Sequence, residues 1–239
     1  MVVENKYFIG YQYVGADFRI KNSALLAMFE DLAGIHGTKA GEDVRTAETV
    51  WILTAYKVDI KRRPEYGEYV TVRTWSRSIR GLLAFREFEI ISESGELLVC
   101  ALSEWAHINK ADKKPARVTP ELEAAYESEP EHSNFGGARL RAPRENGEYS
   151  FESDFTVGRN WIDVNLHMNN VYYSDLAEMS MPHNEADAIS DLGFEIYYRK
   201  EIKCGEMVRC YYAKRENGHT VSVKSESGET LHAQIIYLK

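Results

Sequence analysis

Ser92-Glu93-Ser94-Gly95-Glu96-Leu97-Leu98 returns in the second half of the chain as Ser225-Glu226-Ser227-Gly228-Glu229-Thr230-Leu231. The phrase is a turn followed by the start of an apolar strand, and it is the last of a series. Val14-Gly15 precedes a helix containing Asp31-Leu32-Ala33; Val157-Gly158 precedes one containing Asp175-Leu176-Ala177. Tyr56-Lys57-Val58-Asp59-Ile60-Lys61 and Gly67-Glu68-Tyr69-Val70 are echoed by Tyr198-Arg199-Lys200-Glu201-Ile202-Lys203 and Gly205-Glu206-Met207-Val208. A single shared turn arises by chance, but several phrases in one order point to duplication of a structural unit.

Each unit opens with a helix. In the first, Ser23 is the expected N-cap, and Leu25, Met28, Leu32 and Ile35 form an apolar stripe. Strands follow. Ile52, Thr54, Tyr56, Val58 and Ile60 alternate with more polar residues, Val70 and Val72 alternate with Thr71 and Arg73, and Leu98, Cys100 and Leu102 form a further strand. Short turns between consecutive strands favour antiparallel pairing, and one helix per run of strands gives an α+β unit with the helix over one sheet face. The expected organisation is a first unit over 1–110, a connecting surface segment over 111–149 and a second unit over 150–239. The connector contains Glu127-Ser128-Glu129-Pro130-Glu131 and Asn134-Phe135-Gly136-Gly137.

Composition narrows the function. A net charge of -8 over 239 residues argues against a general nucleic-acid binder. No apolar run approaches membrane-spanning length and the first residues lack a signal-peptide pattern. Three cysteines, Cys100, Cys204 and Cys210, form no C-x-x-C pair and read as reduced thiols, so a cytoplasmic location is expected. The sequence lacks G-x-S-x-G, P-loop and G-x-G-x-x-G motifs, which leaves a serine-hydrolase elbow and the common nucleotide sites unsupported.

The chemistry-bearing stretch is Asp163-Val164-Asn165-Leu166-His167-Met168-Asn169-Asn170-Val171-Tyr172-Tyr173. Asp163, Asn165 and His167 are two apart, so extended backbone would put them on one side. Asn169 or Asn170 is a suitable N-cap for a helix carrying Tyr172, Leu176 and Met179 that stops at Pro182. A carboxylate, an amide and an imidazole beside a helix N-terminus could polarise a carbonyl and hold an oxyanion. On spacing alone, the stretch reads equally well as a site or as a capped turn. A calcium loop is excluded, because the required Gly and Glu positions hold Met168 and Ser174. No metal or cofactor is called for.

These residues, with Glu178-Met179-Ser180-Met181-Pro182 and Tyr198-Arg199-Lys200-Glu201, closely resemble the acyl-acyl-carrier-protein (acyl-ACP) thioesterases of plant plastids and bacteria. Trp51-Ile52-Leu53-Thr54, Arg63-Pro64-Glu65-Tyr66-Gly67, Thr74-Trp75-Ser76 and Ser103-Glu104-Trp105-Ala106-His107-Ile108-Asn109-Lys110 extend the resemblance over nearly the whole chain. It implies a tandem hotdog fold, two units packed as an internal pseudo-dimer, and hydrolysis of a fatty acyl thioester of acyl carrier protein to free fatty acid. It also implies a catalytic network at Asp163, Asn165, His167 and Glu201. In that scheme Asn165 holds water or carbonyl, Asp163 orders Asn165, amides near His167–Asn170 receive the oxyanion, and Asn169 and Asn170 border the substrate. Either His167 or Glu201 is the base.

Many plant members carry cysteine immediately after that glutamate; here it is Ile202. Neighbours in a strand face opposite ways, so residue 202 would not share Glu201's site, and Cys204 would share the face of Ile202. Attack by water is therefore expected, not by thiol. Aligning the Asp-Leu-Ala phrases puts Ser23 at the place of His167 and Asp59 at that of Glu201, leaving the first unit without chemistry. That unit would supply packing and the acyl pocket, with Met28 and Phe29 as lining candidates or ordinary core. Docking of the acidic carrier is expected on Lys61-Arg62-Arg63, on Lys110 with Lys113, Lys114 and Arg117, or on Arg199-Lys200 with Lys203. The alternatives are hydrolysis of acyl-CoA and a non-hydrolytic acyl-binding hotdog protein. A homodimer is left open.

Overall fold

The computed structural model describes residues 1–145 and 147–238, which form two compact units, Met1–Leu140 and Arg141–Lys239. In the first, β1 (Val2–Phe8) leads through a short 3₁₀ turn (Tyr11–Tyr13) to the helix α1 (Asn22–Lys39). Then come β2 (Thr49–Ile60), β3 (Tyr69–Arg80), β4 (Leu83–Ser92), β5 (Leu97–Asn109) and the short helix α2 (Pro120–Ala125). The strands pair antiparallel in the order β1-β3-β4-β5-β2. The second unit repeats the plan with β6 (Phe151–Thr156), a 3₁₀ turn (Arg159–Trp161), α3 (Tyr172–Met179), α4 (His183–Ala188), β7 (Gly193–Tyr198), β8 (Met207–Arg215), β9 (Gly218–Ser225) and β10 (Leu231–Leu238). Its antiparallel order is β7-β10-β9-β8-β6. Among the described residues no helix is long and apolar enough to cross a membrane.

The turn phrases that revealed the repeat make the same bonds twice. Gly95 N–H donates to Ser92 O at 3.0 Å and Gly228 N–H to Ser225 O at 2.8 Å, each glycine in the left-handed conformation (φ 88° and 76°) that favours glycine.

Helix α1 buries Leu25, Met28, Phe29 and Leu32 against its sheet, where the Phe29 ring stacks on Phe88 at 4.6 Å. Burying one such aromatic contributes about 1.5–3 kcal/mol. The expected details shift at both ends of this helix. Ser23 is not the cap: the helix starts at Asn22 with Lys21 before it, and no side chain caps it. Ile35 is exposed, and the last buried side chain is His36, whose Nδ1 meets the buried Arg86 guanidinium at 2.9 Å. In β2 the alternation slips at a bulge between Leu53 and Ala55, so Ile52 faces out while Leu53, Tyr56 and Val58 are buried.

The segment 111–149 is tied down at several points. Tyr126 is buried and donates to Glu42, and His132 stacks on Trp75 with ring centroids 3.8 Å apart. The Trp75 indole N–H donates to the His132 carbonyl at 2.7 Å, and the Arg77 guanidinium donates to the carbonyls of Gly136 and Ala138. Residues up to Leu140 thus lie with the first unit, while Glu145 pairs with Lys224 of the second at 3.1 Å.

Candidate active site

The polar trio converges through a turn, not through extended backbone. Ile162 and Met168 form an antiparallel bridge, and between them Asp163 N–H donates to His167 O at 3.0 Å and Leu166 N–H to Asp163 O at 3.1 Å. Leu166 takes φ 66°, the left-handed position that closes the loop. The Asp163 carboxylate braces the interior: Oδ1 accepts from Asn165 N–H at 2.8 Å and Oδ2 from Asn165 Nδ2 at 3.2 Å. Asp163 thus holds Asn165 by both main chain and side chain, although the two-residue periodicity that suggested convergence does not describe this backbone.

Two main-chain bonds carry the loop to the rest of the site. Asn169 N–H donates to Trp161 O, and Met168 N–H donates to Ile202 O at 2.8 Å. The second bond draws the segment after β7 against the loop and brings Glu201 to His167. The imidazole stands between two carboxylates, with Nδ1 3.8 Å from Asp163 Oδ1 and Nε2 3.9 Å from Glu201 Oε2. Both contacts are ion-pair range, and a closure of about 1 Å makes either a hydrogen bond. Asp163 is mostly covered, whereas Glu201 is half exposed, its side chain 46% accessible. Glu201 thus pairs with His167, and no ion pair joins it to Arg199 or Lys203 among the described residues.

Ile202 is completely buried, so it faces away from Glu201 as expected. Cys204, however, does not share that face. The chain leaves extended geometry at Lys203, where Glu206 N–H closes a turn on the Lys203 carbonyl and Gly205 takes φ 83°, and Cys204 is exposed. The other two thiols are inert: burial, with neighbouring carboxylates, pushes Cys100 up to about 11 and Cys210 to about 12.

Helix α3 starts just beyond. Asn169 Oδ1 accepts from Val171 N–H at 3.0 Å, while Tyr172 N–H and Tyr173 N–H turn back to the carbonyls of Asn169 and Asn170. Met168 and Asn169 have already spent their amides. Among the described residues, the N–H groups of His167 and Asn170 have no acceptor, and neither has the Asn170 carboxamide. Tyr173, to which the sequence reading gave no role, lies beneath. Burial, then the charges of Glu201, Glu206 and Asp163, hold its phenol well above the usual range, so it stays a neutral donor. Its ring meets Tyr198 edge-on at 5.2 Å, and the Tyr198 hydroxyl donates to Asn170 O at 3.0 Å, pinning the helix start. The sequence signal for Tyr173 was its place at the end of the Asp163–Tyr173 stretch that carries the resemblance.

The first unit has the same loop with different residues. Val14 and Ile20 form the bridge, Gly15 N–H donates to Arg19 O, Phe18 takes φ 62°, and Ile20 N–H donates to Pro64 O. Lys21 N–H donates to Tyr13 O as Asn169 N–H does to Trp161 O. These bonds put Gly15, Asp17 and Arg19 at the places of Asp163, Asn165 and His167, and Arg63 at that of Glu201. The expected equivalents, Ser23 and Asp59, are therefore corrected: shared residue types had set a register that the hydrogen bonds do not follow. Arg63 is buried and donates to Ile20 O at 2.7 Å and Asn22 Oδ1 at 2.8 Å. A structural guanidinium fills the place of the carboxylate.

Met28 and Phe29 both lie in the core of the first unit. Of the basic clusters, Lys61 pairs with Asp59, Arg62 with Glu68 and Lys114 with Asp112, and Lys110 donates to the Val44 carbonyl. Arg199, Lys200 and Lys203 are exposed beside Glu201, and their side chains form no ion pair among the described residues, although the Lys203 main-chain N–H donates to Glu206 Oε2 at 2.9 Å.

Residues 1–126 match the acyl-ACP thioesterase N-terminal domain and residues 144–237 the acyl-ACP thioesterase C-terminal domain. A chloroplastic acyl-[acyl-carrier-protein] hydrolase of Cuphea viscosissima is 28% identical over 66% of this chain and 38% of its own length. A chloroplastic palmitoyl-acyl carrier protein thioesterase of Gossypium hirsutum is 26% identical over 86% of this chain and 52% of its own. The chain thus spans about half the length of the curated relatives it matches. Among solved structures, an acyl-ACP thioesterase from Bacteroides thetaiotaomicron superposes with a TM-score of 0.86 at 20% identity, covering 99% of this chain and 97% of that one. The 12:0-ACP thioesterase from Umbellularia californica gives 0.83 at 17% identity, covering 99% and 96%. The fold is the double hotdog, two helix-and-antiparallel-sheet units in one chain, and the chain belongs to the acyl-ACP thioesterase family.

Proposed function

We propose that the chain hydrolyses fatty acyl thioesters of acyl carrier protein by direct attack of water at a single site in the second unit. The observation that carries this reading is His167 held between Asp163 and Glu201 beside the free amides of His167 and Asn170. Water adds to the thioester carbonyl carbon, and its proton passes to the His167–Glu201 pair. The carbonyl oxygen becomes an oxyanion and is received by the Asn170 N–H and the positive end of α3. One well-placed donor of this kind is worth about 10²–10³ in rate. Collapse of the intermediate breaks the carbon–sulfur bond, and the leaving thiolate takes the proton back from the pair. Asn165, its backbone fixed by Asp163, presents its carboxamide oxygen to the attacking water.

Arg199, Lys200 and Lys203 are the docking cluster we assign to the acidic carrier, since their charges are not internally neutralised and they flank Glu201. Reduced, unpaired cysteines support a cytoplasmic location. The test is free-thiol release from a panel of acyl-ACP and acyl-CoA thioesters of varied chain length. Turnover of acyl-ACP is the expected result. Turnover of acyl-CoA alone would reassign the substrate, and no turnover of either would leave a non-hydrolytic acyl binder.

A further inference from the structure

The first unit gathers five exposed aromatic side chains into one patch. Tyr66 is its centre: its ring stacks on Tyr11 at 4.5 Å, meets Phe8 edge-on at 6.2 Å and lies 6.3 Å from Phe18. Phe8 packs in turn on Tyr69 at 5.1 Å. Tyr11 is 76% exposed, Phe18 59% and Tyr69 52%. At about 150–250 Å² for a whole aromatic side chain, the five expose roughly 500 Å², a patch size that on a monomer is often functional.

The fold itself does not demand this patch. The hydrogen bonds that match the two units put Thr156, Arg159, Leu166, Cys204 and Met207 at the corresponding places, none of them aromatic. In the second unit that face borders His167 and Glu201 and must admit substrate. In the first, Arg63 fills the place of Glu201 and nothing needs to enter, so the face is free to be covered.

Charge decides what covers it. Two ion pairs beside it are closed within the chain, Arg19 with Asp17 and Arg62 with Glu68, each at 2.9 Å. Arginines neutralised in this way give an acidic carrier little to select. Two copies of this chain, each with a net charge of -8, repel at a distance and can meet only where contact is apolar and the rim compensated. We propose that this face joins two copies of the chain about a twofold axis, each aromatic patch packing on its counterpart. The two patches together remove roughly 1,000 Å² before any rim is counted, the size at which specific interfaces begin. Tyrosine and phenylalanine are also the types enriched in such cores.

Sedimentation velocity on the intact chain from about 0.5 to about 50 μM, a range a contact of this size can reach, should show a reversible dimer. Replacing Tyr11→Ser and Phe18→Ser should weaken it roughly 30-fold for each aromatic removed, with circular dichroism and thioester turnover unchanged. A wild-type chain that stays monomeric throughout, or a folded double variant with an unaltered dimer constant, would overturn the proposal. Hydroxyl-radical oxidation of the wild type needs no variant. Tyr11 and Tyr66 should be protected at the higher concentration, and equal oxidation at both would also overturn it.

Discussion

Replacing Arg63→Met tests the claim that the first unit keeps the loop of the site but uses it structurally. Arg63 is 5% exposed, and its guanidinium donates to the Ile20 carbonyl at 2.7 Å and to Asn22 Oδ1 at 2.8 Å. Methionine preserves much of the stem's volume, so little of the effect comes from lost packing. Each hydrogen bond from a charged donor is worth about 1.5–3 kcal/mol, and both would be lost from a buried position. The expected loss is about 3–5 kcal/mol, a large part of the roughly 5–15 kcal/mol that holds a domain folded. Urea unfolding followed by tryptophan fluorescence should show the midpoint falling by about 2 M for a slope of about 2 kcal/mol per M. Arg63 belongs to the first unit and has no part in the chemistry assigned to the second, so kcat of the folded variant should stay within about twofold, the two effects being independent. A loss below about 1 kcal/mol, or a fall in kcat at an unchanged midpoint, would refute the reasoning.

Further outcomes follow from the same geometry. Ile202→Ala empties a completely buried position and should cost about 2–5 kcal/mol, with activity falling only as the protein unfolds, since the bond from Met168 uses the Ile202 main chain. Ile202→Cys should yield no acyl-protein adduct by mass spectrometry after reaction with acyl-ACP. Native protein at mildly alkaline pH should react with one equivalent of a thiol reagent, at Cys204, because the buried Cys100 and Cys210 thiols are held protonated; rapid labelling of either would contradict this. Burial and the neighbouring Arg86 lower His36 to about 3, so it stays neutral in the fold while the unfolded chain binds a proton near pH 6.5. Its contribution to stability is therefore full above pH 6.5 and is lost progressively as pH falls towards 3. NMR should show no protonation of the His36 ring between pH 8 and 5; titration within that range would contradict it.

The duplication and the antiparallel units could be read from sequence, because turn phrases survive duplication, and the residues that converge around His167 stood out by type and spacing. The register between the units could not. Asp31-Leu32-Ala33 and Asp175-Leu176-Ala177 look alike, yet the bonds at Ile20 and Met168 set a different alignment, and with it Arg19 and Arg63 replace Ser23 and Asp59 as the counterparts of His167 and Glu201. Likewise, spacing implied an extended Asp163–His167 stretch, whereas the left-handed Leu166 makes it a turn, which residue type alone did not reveal for a leucine. Tyr173 went unassigned because its partners, Tyr198 and the acidic residues around it, arrive from elements distant in sequence.

The central claim is that water, activated by the His167–Glu201 pair, attacks the thioester. Its most direct test is kcat of Glu201→Gln on the best acyl-ACP substrate, since glutamine keeps the shape but removes the charge facing Nε2. The account predicts a fall of about 10²–10⁴ at nearly unchanged thermal stability, the magnitude of lost general acid–base catalysis. A rate near that of the wild type would contradict it.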